Sequence, residues 1–230
     1  MKSSLFDSLC EALLSKHACA TVSNLATDKQ CFVQSGNAGG DLELSSADIQ
    51  SVEEMIAADV SGHIAKTDLF VRVYGPNYRM IIVGAVHIAQ ALAPMAQLAG
   101  FDVTIIDPRE AFVQASRLSD VASIREWPDD GVTKLEPDLR TAIVTLTHDP
   151  KLDDPALAAA LKSDAFYIGS LGSKKTHAKR IRRLTEQGFT DADLSRIHGP
   201  VGLDIGAKTP SEIAVSILGE VVTIRRLVAA

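Results

Sequence analysis

The run from Met80 to Asp107, MIIVGAVHIAQALAPMAQLAGFDVTIID, constrains the fold more than any other stretch of the chain. A short apolar run ends at a glycine, an amphipathic segment follows, and a second glycine precedes another apolar run. That succession reads as strand, tight loop, helix and strand, the outline of a βαβ unit. Dinucleotide-binding units of this kind carry G-x-G-x-x-G/A, with an acid about 20 residues further on. Here Gly84 holds the first glycine position, Val86 the second and Ala89 the third, and Asp107 stands where the acid belongs. The second glycine lets backbone approach a pyrophosphate closely. A β-branched Val86 crowds that approach, so the fold signal is strong and the signal for NAD(P) is weak.

The rest of the chain fits one α/β protein with a smaller α+β portion ahead of it. Residues 4–17 read as an amphipathic helix, Ala18–Ala26 and Gln30–Gln34 as short strands, and Ser35–Leu44 as a glycine-rich loop. Ser45 or Ser46 caps a helix running to about Asp59, and Asp68–Tyr74 is a strand. The turn Gly75-Pro76-Asn77 marks a boundary, which gives a domain over 1–76 and a Rossmann-like domain over 77–230. Beyond it strands and helices alternate, as in a parallel sheet with helices on both faces. Strands are expected at Arg79–Val83, Asp102–Ile106, around Ala122–Glu126, at Thr141–Thr147 and at Ala165–Leu171. Helices are expected at His87–Ala99, near Glu110–Ser116, at Asp154–Lys162, at Lys174–Gln187, at Thr190–Ile197, and from Pro210 to about Leu227.

Composition excludes several classes. A formal net charge of −6 argues against nucleic-acid binding, which needs a basic surface. No apolar run reaches the ~20 residues that span a bilayer, and the amino-terminal segment carries acids in its apolar pattern, so a cytoplasmic protein is expected. Three cysteines, Cys10, Cys19 and Cys31, form neither a disulfide framework nor a metal-ligand spacing, and read first as inert thiols. No nucleophile–base pair and no metal motif is recognisable, so the sequence supplies no catalytic residue and no metal ligand.

In an open parallel sheet, ligands bind beyond the carboxyl ends of the strands. That rule selects Gly84 and His87 after the first strand and Asp107 and Arg109 after the second. Thr147, His148 and Asp149 follow the fourth, and Gly169, Gly172, Ser173, Lys174 and Lys175 the fifth. Glycines, hydroxyls, helix amino termini and two lysines suit a phosphate or another oxyanion. The basic run Lys174 to Arg183 otherwise reads as a solvated helix face. The loop over 197–209 adds Asp204 and Gly206, with Asp204 expected among apolar neighbours and in need of donors.

Five ordered motifs, IVGAVHIAQAL, VTIIDPR, VTLTHDPKLDDPAL, YIGSLGSKKTHAKR and GPVGLDIGAKTPSEIAVSILGEV, resemble the XdhC/CoxI family from residue 79 to residue 226. In the amino-terminal part only Gly39-Gly40-Asp41-Leu42-Glu43 resembles the family pattern. The resemblance implies a Rossmann-like domain and a maturation chaperone for molybdenum hydroxylases such as xanthine dehydrogenase. It implies that a molybdopterin-type molybdenum cofactor is held as cargo and delivered to an apo molybdenum hydroxylase. A cysteine desulfurase as second partner and a homodimer are implied in the same way. Two rivals remain at this point, an NAD(P)-dependent oxidoreductase of a small substrate, favoured by Asp107 and opposed by Val86, and a non-catalytic nucleotide sensor.

Overall fold

The computed structural model of the chain describes residues 3–15, 17–109 and 121–228. They divide into two compact units, 1–76 with 226–230, and 77–225.

In the first unit, helix α1 (Ser3–Leu14) is followed by strands β1 (Cys19–Asn24), β2 (Gln30–Gln34) and β3 (Asn37–Gly40). Helix α2 (Ser46–Ala57) and strands β4 (Gly62–His63) and β5 (Leu69–Tyr74) complete it. The sheet order is β3-β2-β1-β5-β4, and every pairing is antiparallel. Val52 and Ile56 of α2 pack on Ala20, Val22, Cys31, Val33 and Val71. Of the two candidate serines, Ser45 caps α2, through a reciprocal pair with Asp48.

The segment read as a loop over Ser35–Leu44 contains β3. Ser35 (φ 50°) and Gly36 (φ 74°) make a two-residue turn with both residues left-handed, and Asn37 to Gly40 pair back on β2. Such a turn matches strand twist and closes a hairpin, which outweighs the poor strand propensity of the glycines.

The second unit is a Rossmann-like layer structure. Its strands are β6 (Tyr78–Val83), β7 (Phe101–Ile106), β8 (Ala122–Ile124), β9 (Thr141–Thr145), β10 (Tyr167–Ser170) and β11 (Ile197–His198). Its helices are α3 (His87–Leu98), α4 (Pro128–Lys134), α5 (Pro150–Leu161), α6 (Lys174–Glu186), α7 (Asp191–Leu194) and α8 (Pro210–Val228). The six strands, ordered β11-β10-β9-β6-β7-β8, are all parallel. Counted from β6, this is the 3-2-1-4-5-6 order of dinucleotide-binding sheets, with its switch point between β6 and β9. Alternate residues of β6 serve opposite layers. Met80 and Ile82 pack with α3 and α8, and Ile81 and Val83 with α4, α5, α6 and α7.

Four expectations shift. Helix α5 starts at Pro150, capped by Asp149, so Pro155 lies inside it rather than in its first turn. Helix α4 and the short sixth strand β11 were not expected, and β11 takes the end of the segment read as a helix over Thr190–Ile197. Two residues are too few to show a strand periodicity. The helix expected near Glu110–Ser116 lies outside the described residues.

Candidate functional site

Every rim loop of the parallel sheet leaves a carboxyl strand end. After β6, Gly84 adopts φ +106°, and a Cβ there would stand 2.6 Å from Thr147 Cγ2. Only glycine fits this bend and this contact. The loops after β6 and β9 therefore touch at the switch point. Val86 is the N-cap of α3 and offers no side-chain cap, so the first turn of α3 presents backbone donors to the rim. His87 opens the helix and is exposed.

Asp107 is completely buried, and both its oxygens are engaged. Oδ2 accepts the Ala85 N–H at 2.9 Å and Arg109 Nη2 at 2.8 Å, and Oδ1 accepts the Arg109 N–H at 3.0 Å and Nε at 2.9 Å. Burial pushes the carboxyl up, but the Arg109 bonds and the Ala85 N–H pull it below its ordinary value. The position where a ribose acid was expected thus holds a clamp, which fixes the Gly84 loop from one side and Arg109 from the other. Arg109, with its side chain 38% exposed, also feels the charge of Asp149 from the neighbouring loop.

After β9, Thr147 gives its hydroxyl to Asp153 Oδ1 at 2.6 Å, and Asp149 caps α5 by accepting the Lys151 N–H at 3.0 Å. Between them His148 is exposed and left-handed, at φ +62°. Such a conformation in a non-glycine residue is held only by its surroundings and is common beside binding sites. After β10, Gly169 is buried in the strand with Tyr167 and Val201 around its α-carbon. Gly172 takes φ +147°, Ser173 caps α6 by accepting the Thr176 N–H at 3.2 Å, and Lys174 and Lys175 are exposed at its first turn.

Two expectations are corrected here. Asp204 is exposed, with Leu203 and Ile205 themselves 43% and 53% exposed, so water rather than buried donors solvates its carboxylate. Gly206, at φ +74°, is exposed beside it. The α6 cations are not all solvated. Arg180 is 2% exposed and reaches Asp153 Oδ2 at 3.4 Å, and Arg183 Nη2 donates to Asp154 Oδ1 at 2.9 Å. Burial opposes the charge on both Arg180 and Asp153. Sequence reasoning missed this pairing, although helix periodicity puts His177, Arg180 and Leu184 on one face.

Behind β10, Tyr167 stacks on His198 and gives its hydroxyl to Glu220, which also accepts the Gly202 N–H at 2.8 Å. This ties the loop after β11 to α8. Among the described residues no group of three His, Cys, Asp or Glu side chains could hold a metal. Cys19 and Cys31 are buried, and burial pushes the Cys31 thiol up to about 11. A groove of about 740 Å³ is lined by α4, α5 and the turn into β10, including Asp129, Glu136 and Lys162, and not by the rim loops.

Residues 80–221 match the model of the XdhC Rossmann domain, over half of the chain. The chain belongs to the XdhC Rossmann-domain family. Among its relatives, the molybdenum cofactor insertion chaperone PaoD of Escherichia coli is 32% identical over 152 residues, 66% of this chain and 42% of PaoD. A probable xanthine dehydrogenase component of Bacillus subtilis is 30% identical over 80% of this chain and 54% of its own length. An uncharacterized Escherichia coli protein, YqeB, is 27% identical over 75% of this chain and 31% of its own. The XdhC-family chain here thus spans between 31% and 54% of the length of these relatives. A crystal structure described as a xanthine dehydrogenase from Bacillus halodurans superposes with a TM-score of 0.73 and 25% identity, covering 97% of this chain and 66% of that one. No helix among the described residues is long and apolar enough to cross a membrane.

Proposed function

We propose that this chain binds a molybdopterin-type molybdenum cofactor at the carboxyl rim of its parallel sheet and hands it to an apo molybdenum hydroxylase. The observation that carries this reading is the row of anion-suited groups on one rim. The open first turn of α3, Arg109 fixed by Asp107, and Gly172, Ser173, Lys174 and Lys175 at the start of α6 all stand beyond strand carboxyl ends. A molybdopterin carries a phosphate, or a pyrophosphate in its dinucleotide form, and these groups suit it. The name of PaoD supports the cofactor class, and the name of the Bacillus subtilis relative supports the kind of client.

In this reading Gly84, His87, Thr147, His148 and Asp149 face the ligand over the switch point. Asp204 and Gly206 close the far wall, and Asp107 acts through Arg109 and Ala85. Residues 77–230 are the cofactor-binding domain and 1–76 a separate one. The chain works with its client in the cytoplasm, as a homodimer, and receives sulfur from a cysteine desulfurase. NAD(P) is disfavoured because Val86 crowds the pyrophosphate approach and the Asp107 carboxylate has no oxygen left for a ribose.

Calorimetric titration with purified molybdopterin cofactor, NAD and NADP tests this. The expected result is saturable binding of the cofactor, no binding of either nicotinamide nucleotide, and activation of an apo-hydroxylase by the loaded chain. Tight NAD(P) binding with hydride transfer would replace the reading with an oxidoreductase. Tight binding of another nucleotide, with no affinity for the pterin, would replace it with a sensor.

A further inference from the structure

Two adjacent side chains on the inner face of α6 have polar atoms that no described residue meets. Arg180 is 2% exposed, yet its Nε and Nη1 have no hydrogen-bond partner among the described residues. Only Nη2 is engaged, with the Leu171 carbonyl at 3.0 Å and Asp153 Oδ2 at 3.4 Å, and Nε stands 4.0 Å from Asp154 Oδ1. The surrounding acceptors are committed elsewhere. Asp153 Oδ1 takes the Thr147 hydroxyl, and both oxygens of Asp154 take Arg183. One turn earlier, His177 Nδ1 is buried without a partner among the described residues, and the ring is seated against Gly199.

These atoms lie beneath the rim. Nη1 is 3.8 Å from where a Cβ on Gly172 would stand, and Gly172, at φ +147°, puts no side chain there. The Ser173 hydroxyl accepts the Thr176 N–H and pairs with the Thr176 hydroxyl at 3.0 Å, which leaves the earlier amides of α6 to other acceptors. Buried donors are seldom left orphaned; a ligand or an ordered water usually meets them. A guanidinium below a glycine at a helix amino terminus is matched to a tetrahedral oxyanion, which can accept from Nη1 and from the helix amides together.

We infer that Arg180 is the floor of a phosphate subsite at the amino terminus of α6, with His177 beside it and Gly172 as the opening. It rests on the proposal that this terminus takes the anionic group of the ligand, and it adds the residue that sets affinity there. The cations that look outward, Lys174 and Lys175, attract the anion; the buried one fixes its position. The chemistry is that of a phosphate, whether free or carried as a monoester.

The test is calorimetry and Arg Nε–H NMR on the full chain, titrated with inorganic phosphate and, separately, with glycerol phosphate. Phosphate is expected to saturate the site and to shift the Arg180 Nε–H signal, assigned through Arg180→Lys. Arg180→Gln is expected to weaken binding about tenfold or more, and the exposed Lys174→Gln about threefold, as a screened point charge should. Arg180→Gln strands Asp153 and could fail to fold, so Arg180→Lys, which keeps the charge beside Asp153, serves as a second variant, and Gly172→Ala, strained at φ +147°, as a third. Its Cβ would enter the opening, 3.1 Å from Thr176 Cγ2, and should weaken phosphate binding similarly. Stronger binding of glycerol phosphate than of phosphate identifies a monoester as the ligand, and the reverse a free ion. If phosphate binds and Lys174→Gln weakens it, while the Arg180 signal stays still and Gly172→Ala binds as wild type, the α6 reading survives and this inference is overturned. Absence of phosphate binding to the wild type overturns it as well, whatever the pterin titration gives.

Discussion

Removing the Asp107 carboxylate should uncouple two rim loops at once, and the cost can be worked from the structure. In Asp107→Ala the buried Ala85 N–H loses its acceptor, which costs about 1–3 kcal/mol for a stranded backbone donor. The bonds to Arg109 add less. Its side chain is 38% exposed, and water replaces part of what is lost, so about 1 kcal/mol is a fair share. The sum is roughly 2–4 kcal/mol, which in a domain of this size lowers Tm by roughly 5–12 °C. Asp107→Asn should fare little better, because its amide NH2 must face either the Ala85 N–H or the guanidinium, donor against donor. The acid limb of the stability curve checks the same clamp. The folded carboxyl lies below its unfolded value, so its contribution is present above the ordinary carboxylate pKa. That contribution is lost as pH falls from there through the lower, folded value. Thermal melts at neutral and acid pH should therefore show a large gap between wild type and Asp107→Ala near neutrality that closes towards acid. A variant melting within a degree of wild type at neutral pH would refute the clamp.

Three further outcomes follow from the same geometry. Gly84→Ala should cost more than about 2 kcal/mol in urea denaturation, since φ +106° strains any L side chain and its Cβ meets Thr147; a loss under half of that would mean the two loops part easily. Val86→Gly should open the approach to α3 and raise affinity for the diphosphate of ADP and NAD alike, and calorimetry showing no gain would refute the steric argument. Arg183→Ala leaves the mostly buried Asp154 with only the distant Nε of Arg180 among the described residues, and should destabilise by roughly 2–3 kcal/mol after allowance for the exposure of Arg183; a change near zero would restore the solvated-face reading of α6.

The parallel sheet was legible because a central strand buried on both faces must read as an apolar run, and Met80 to Val83 does. Rim positions followed from strand ends alone, and the start of α2 followed from a hydroxyl ahead of an amphipathic run, with Ser45 the one of two serines that caps it. What the sequence hid was pairing between distant residues. Asp107 matches the spacing of a ribose acid, and nothing local says that Arg109, two residues on, occupies it. Arg180 sits among six cations and looks solvated until helix periodicity sets it beside His177 and Leu184, over Asp153 from another helix. Asp204 misled in the opposite sense, because apolar neighbours in sequence do not bury a residue when they are themselves exposed. β3 was obscured by its glycines, whose turn geometry rather than side chains makes the hairpin.

The central claim is that the rim holds a molybdopterin, and the most direct measurement is oxidative release of fluorescent pterin from the full chain purified from its own cells. The account predicts a pterin approaching one per chain in the wild type, and a lower yield from a folded Lys174→Glu variant. Purified protein that releases no pterin, or that carries a nicotinamide nucleotide in its place, would contradict it.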